Sequence, residues 1–193
     1  MQLELDHIFV CVKPLAPEAE ILKAFGLTEG RRRIHRGQGT ANVCFFFHNV
    51  YLELLWLSDS EEIQSDIIRP LGLWERCRWK ETNACPFGIA FRKKIPDSPS
   101  LPFSTWGYHA PYIPPEASIP IASNSRNLSE PLIFISPSTQ KPINILLEKR
   151  PPLINTLQLD EITGLRVTLP GDASGDSLRA YRNFSPEIGT LIE

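Results

Sequence analysis

The sequence predicts an α+β fold built mostly of antiparallel strands, and three observations carry that expectation. Short apolar segments with period-two alternation recur from the N-terminus to beyond residue 130. Residues 40–57 read as two strands meeting at a tight turn at His48-Asn49, a hairpin of high β-propensity. Helical periodicity is confined to short stretches, and nine prolines between Pro96 and Pro137 exclude long helices there while favouring edge strands and turns.

LELDHIFVCV opens the chain as a strand with Leu3, Leu5, His7, Phe9 and Cys11 on one face. PEAEILKAFGL follows as a short helix, with Pro17 suited to its first turn, Gly26 to its end, and Ile21, Leu22 and Phe25 as its apolar stripe. GRRRIHRGQGT shows three glycines and no periodicity, so it reads as loop. Residues 58–80 read as an amphipathic helix with a capped start, interrupted at Pro70 and Gly72. ACPFGIAFR resembles the first strand in pattern. TWGYHAPYI, SIPIAS, PLIFIS, INILLEK and LQLDEITGLRVTLPG are further strand-like segments, and SGDSLRAYRNF reads as a short helix.

Composition narrows the classes of function. The 193 residues are 42% apolar and 22% charged with a formal net charge of −2, an ordinary globular balance with no general pull toward nucleic acid or anionic membrane. The basic run Arg31-Arg32-Arg33 with Arg36 is the one charge cluster; it reads first as a solvated loop and, as the alternative, as an anion-binding lid. The N-terminus carries acidic residues where a secretory signal carries basic ones, and no segment reaches 18 uninterrupted apolar residues. Cys11, Cys44, Cys77 and Cys85 lack CxxC spacing and read as free thiols. A cytoplasmic protein is expected.

Within YLELLWL, Glu53 shares a face with Tyr51, Leu55 and Leu57 in an otherwise apolar strand. A carboxylate so placed needs water, a cation or hydrogen-bond donors. It either reaches solvent at a sheet edge or lines a cavity as ligand or general base. His7 sits at similar spacing in the first strand, and imidazole with carboxylate makes a donor pair that zinc, nickel, iron or manganese accepts. Thr40 and Asn42 lie two apart, on one face, with His35 just upstream. Their polar groups either hold a ligand or satisfy the backbone of a glycine-rich turn. GQGT lacks the pattern of a phosphate loop.

LDHIFVCV, a helix ending in FGL, HRGQGTAN and a hairpin ending in YLELLWL together resemble the glyoxalase-like domains of the vicinal oxygen chelate superfamily. The resemblance implies paired βαβββ modules whose curved, mostly antiparallel sheets enclose a cavity. It implies one domain over residues 1–193, with residues 1–80 the first module and 81–193 a second, divergent one. Many members hold a divalent metal with a first-strand residue and a fourth-strand Glu from each module. Carried onto this sequence, that implies His7 and Glu53 as metal ligands, with Glu53 also as the catalytic group; His35, Thr40 and Asn42 are expected at the rim of the same cavity as substrate-binding residues, because their loop feeds the hairpin that carries Glu53. In the second module Cys85-Pro86-Phe87-Gly88 offers no strong ligand and EPLIFISP no inward carboxylate, which leaves His109 and Glu148 as outside donors. Two functions follow, beside a mainly structural or partner-binding role in which the site is vestigial. One is a metal-dependent lyase, isomerase or dioxygenase acting on a small oxygenated molecule. The other is a metal-free module that holds such a molecule without catalysis. The partner in either case is a small molecule rather than nucleic acid or membrane, and a homodimer is compatible with both.

Overall fold

The computed structural model describes residues 3–95 and 101–167. The expected helix in SGDSLRAYRNF lies outside them. Eight strands form one mixed sheet: β1 (Leu3–Cys11), β2 (Glu29–His35), β3 (Thr40–Phe46), β4 (Tyr51–Leu57), β5 (Phe87–Lys93), β6 (Thr105–Tyr108), β7 (Ile119–Ala122) and β8 (Leu132–Ile135). Their order across the sheet is β2-β3-β4-β1-β5-β8-β7-β6. The pairings β1–β4 and β5–β8 are parallel, and the other five are antiparallel. Each half thus has a parallel pair inside and a hairpin outside, and the halves join through the antiparallel β1–β5 pairing. This is the α+β architecture expected, with an open rather than closed sheet.

The first half also holds helix α1 (Glu18–Phe25), which ends at Gly26 in the left-handed conformation. Its buried residue is Ala19, packed with Ala16 against Ala41, Val43, Phe45, Leu54 and Trp56 on the back of β3 and β4. Ile21 and Phe25, expected on its apolar stripe, are exposed, because small alanines are what let the helix approach the sheet. Among the described residues no helix separates β5 from β6, where the βαβββ pattern has one.

Four expected elements differ. The arginine-rich segment is strand β2, a sheet edge wet enough on both sides that hydrophobic alternation is missing. Residues 58–80 form 3₁₀ turns at Glu62–Gln64 and Arg69–Leu71, then α2 (Leu73–Cys77) and α3 (Trp79–Thr82), rather than one helix. Pro70 and the left-handed Gly72 end each attempt at a longer one. INILLEK is turn rather than strand, with Leu146 and Leu147 exposed, and LQLDEITGLRV makes only isolated bridges within its described part.

Alternation sends Phe9, Cys11, Leu55, Tyr108, Ile119, Ile121 and Leu132 to one face, where Ile63, Ile68, Leu71 and Leu73 of the 58–77 segment cover them. Leu3, Leu5, Ile89, Phe91, Ile133 and Ile135 pack on the other face. The first face lines a cavity.

Candidate functional site

His7 lies in that cavity because its strand alternates, but its support comes from an interruption of the alternation. Leu5 pairs with Phe91 and His7 with Ala90, so Asp6 is an extra residue in β1, a bulge. The bulge turns the Asp6 carboxylate back to its neighbour, and Asp6 Oδ2 lies 2.7 Å from His7 Nδ1. A carboxylate accepts only from a protonated nitrogen, so Nδ1 carries the hydrogen. Asp6 Oδ1 accepts from Arg92 Nη1 at 2.7 Å. Arg92, wholly buried, also donates to Glu4 Oε1 at 2.7 Å and to the carbonyls of Asn49 and Gln140. A guanidinium so surrounded has four of its N–H groups engaged and balances the buried Asp6 charge.

The other nitrogen of His7 faces Glu53, with Nε2 to Oε2 at 3.5 Å. Glu53 Oε1 accepts from Asn42 Nδ2 at 2.6 Å. Both His7 and Glu53 are 6% exposed, so solvent screens little between them. Tyr51 stacks on His7 with ring centroids 4.3 Å apart, and the edge of Phe134 meets the same ring at 5.4 Å. Burial, reinforced by the Glu53 charge, pushes the Tyr51 phenol well above its ordinary range and keeps it neutral.

A second polar chain lines the opposite wall. Tyr108 and Tyr112 hydroxyls donate to Gln38 Oε1 at 2.8 and 3.2 Å, which fixes the amide. Gln38 Nε2 then donates to Thr40 Oγ1 at 2.7 Å, and the Thr40 hydroxyl lies 2.9 Å from His35 Nδ1. The Gln38 Nε2 donor also lies 3.4 Å from His35 Nδ1, which suits Nδ1 as the accepting nitrogen, with Thr40 donating to it and the hydrogen of the neutral ring on Nε2. Burial lowers the His35 pKa against the opposing pull of Glu53, which favours that neutral form. Burial likewise raises both tyrosines.

The cavity is about 280 Å³, with His7, His35, Asn42 and Glu53 on its wall among Phe9, Leu55, Ile119, Ile121 and Leu132. Thr40 is buried behind the wall rather than on it, and acts on the cavity through His35. Asp6, Arg92, Gln38, Tyr108 and Tyr112 were not among the residues expected from sequence. Asp6 was hidden by strict alternation, which assigns it to the opposite face from His7. The tyrosines sit in the proline-rich stretch, where no periodicity marks them.

The four-donor metal centre implied by the resemblance does not fit these residues. A two-fold axis through the Ile8–Ile89 pair carries β1–β4 onto β5–β8. It relates His7 to Gly88, and Glu53, opposite Phe9, to Phe134, opposite Ala90. A Cβ at Gly88 would collide with the Phe9 ring, so that ring fills the space a second imidazole would need. Phe134 stands where a second carboxylate would. Among the described residues no group of three His, Cys, Asp or Glu comes together. His109 is exposed and Glu148 belongs to a neighbouring chamber.

Residues 5–111 match the family model described as a glyoxalase-like domain. The chain belongs to the glyoxalase-like domains of the vicinal oxygen chelate superfamily. Solved structures similar to this glyoxalase-like chain include a methylmalonyl-CoA epimerase in complex with methylmalonyl-CoA and NH4+, at 13% identity and a TM-score of 0.46 over 73% of this chain and 99% of that one. A second is a Glu-to-Gln variant of Streptomyces coelicolor methylmalonyl-CoA epimerase in complex with 2-nitronate-propionyl-CoA, at 14% identity and 0.44 over 72% and 100%. A third is a hypothetical protein from Staphylococcus aureus, at 12% identity and 0.47 over 86% and 70%. No curated protein matches the sequence. No described helix of this glyoxalase-like domain is long and apolar enough to cross a membrane.

Proposed function

We propose that this glyoxalase-like domain binds a small oxygenated molecule and moves a proton at the carbon beside its carbonyl, with Glu53 as the base. One observation carries the reading. A buried carboxylate, oriented by Asn42 and backed by a carboxylate-anchored imidazole, opens onto a mainly apolar cavity. Such a cavity strengthens electrostatic interactions and positions one face of a ligand against the base. Glu53 takes the proton from carbon as the carbonyl oxygen gains negative charge. His35 Nε2–H is the donor suited to that oxygen. Return of the proton from Glu53 to the same carbon on the same face restores the starting configuration with exchange, and its delivery to the former carbonyl carbon of an α-hydroxy ketone, as the hydroxyl proton passes to the other oxygen, gives an isomerisation. Donation from Asn42 Nδ2 holds the carboxylate in place. The Asn42 Oδ1 atom is buried without a partner, which suits a ligand hydroxyl as donor.

No step here requires a metal, and the Gly88 and Phe134 positions favour that. The same positions also favour a second reading, in which the cavity holds the molecule without transforming it.

The test is deuterium incorporation into α-hydroxy ketones and α-keto acids in heavy water, followed by proton NMR. Wild type should exchange protons faster than buffer, and Glu53→Gln should lose that rate. Absence of exchange across both classes would move the assignment to the binding module. Zinc, nickel and manganese titrations should show only weak binding. Tight stoichiometric binding that His7→Ala removes would refute metal independence.

A further inference from the structure

A second, wider chamber of about 560 Å³ adjoins the first, with Arg33, Asn42, Tyr51 and Ser138 common to both walls. Four cations line it, Arg31 and Arg33 from the edge strand β2 and Lys149 and Arg150 from the segment beyond β8. Glu148 is its one carboxylate. Arg32, between the two β2 arginines, shows what a satisfied arginine looks like on this strand. It pairs with Glu29 at 2.8 Å, donates to the Leu15 carbonyl at 2.6 Å and lies over the Trp56 ring. Among the described residues, the side chains of Arg31 and Arg33 make no hydrogen bond or ion pair. Arg150 is half-buried and held by donation from Nε to the Ile145 carbonyl at 2.9 Å, which leaves its terminal nitrogens available to a ligand. Gathering four cations around a concavity against a single carboxylate is unfavourable in the free protein, and an anion relieves it.

We propose that this outer chamber is an oxyanion subsite, taking the phosphate or carboxylate end of an elongated ligand whose carbonyl end lies beside Glu53. The direction of the ligand rests on the proton-transfer reading above; the anion subsite itself does not. Arginine forks match both oxyanions, and each good charge-assisted contact changes affinity by about tenfold.

Isothermal titration of the full chain with inorganic pyrophosphate and, separately, with malonate tests the subsite. At least one should bind saturably, and the tighter of the two identifies phosphate or carboxylate as the group recognised. Arg31→Gln and Arg33→Gln should each weaken that binding by about tenfold and reduce its dependence on salt. Glu148→Gln should strengthen it. Arg69→Gln, whose side chain pairs with Asp66 away from the chamber, should leave it unchanged. Failure of both anions to bind at millimolar concentration, or equal binding by Arg33→Gln and wild type, overturns the proposal. Anion binding without proton exchange keeps the subsite and removes the reaction, whereas exchange without anion binding does the reverse.

Discussion

Replacing Asp6 by Asn probes the support of the site through two separate readouts. The wild-type carboxylate accepts from His7 Nδ1 and from Arg92 Nη1, each at 2.7 Å. An amide has one accepting oxygen. If that oxygen stays with Arg92, the amide nitrogen faces Nδ1, which must then accept. The ring hydrogen therefore moves to Nε2 and points at Glu53. Two charge-assisted bonds become weaker ones, a loss of about 1 kcal/mol each. The Arg92 charge also loses one of its two carboxylate partners, while Glu4 remains at 2.7 Å. The sum is about 3 kcal/mol, at the low end for breaking a buried pair because a second carboxylate stays in place. A domain with roughly 10 kcal/mol of stability still folds after such a loss. Urea unfolding measures the loss, and long-range nitrogen–proton NMR of the imidazole measures which nitrogen bears the hydrogen. A loss under about 1 kcal/mol would refute the energetic reasoning. A wild-type neutral ring protonated on Nε2 would refute the assignment of Asp6 as the group that fixes the tautomer.

Gly88→Ala should destabilise by about 1–3 kcal/mol in thermal or urea unfolding, since its methyl must displace the Phe9 ring, and Phe9→Leu in the same chain should recover part of the loss. His35 gives a pH dependence of definite sign. Its pKa is lowered by burial from an ordinary value of 6.5, so the unfolded chain binds the proton more readily. Its contribution is present above that value and is lost as pH falls toward and through the folded-state value. His35→Gln should therefore flatten the stability profile between about pH 7 and about pH 5, and an unchanged slope would contradict the burial argument.

How much was legible in the sequence differs by residue. Alternation places His7 and Glu53 on one face of two strands, and those strands prove to be neighbours, because Phe9 pairs with Glu53 in a parallel register. Apolar alternation likewise marks β5, β7 and β8. The edge strand β2 escaped because exposed arginines on successive positions erase the pattern that burial would impose. Residues 58–80 misled in the opposite way. Their apolar period is real and faces the core through Ile63, Ile68, Leu71 and Leu73, but Pro70 and Gly72 convert it to short turns. Asp6 was unreadable because a bulge is a relation between two strands, and nothing in LELDHIFV alone states which residue its partner skips. Gly88 and Phe134 stand out as missing ligands only once the strand register relates them to His7 and Glu53.

The placement of Arg92 has a consequence for dissection and recombination of the protein. Residues 3–57 contain the imidazole and the carboxylate of the candidate site, yet the cation that balances Asp6 enters from β5. A fragment ending before β5 would carry a buried aspartate with no counter-charge, and a chimera with a foreign second half would need an arginine at the same register opposite Glu4. The duplicated halves have therefore ceased to be interchangeable parts. One carries the imidazole and the carboxylate, the other supplies two tyrosines and the charge that makes Asp6 tolerable to bury, and a swap between homologues should be tolerated only when β1 and β5 travel together.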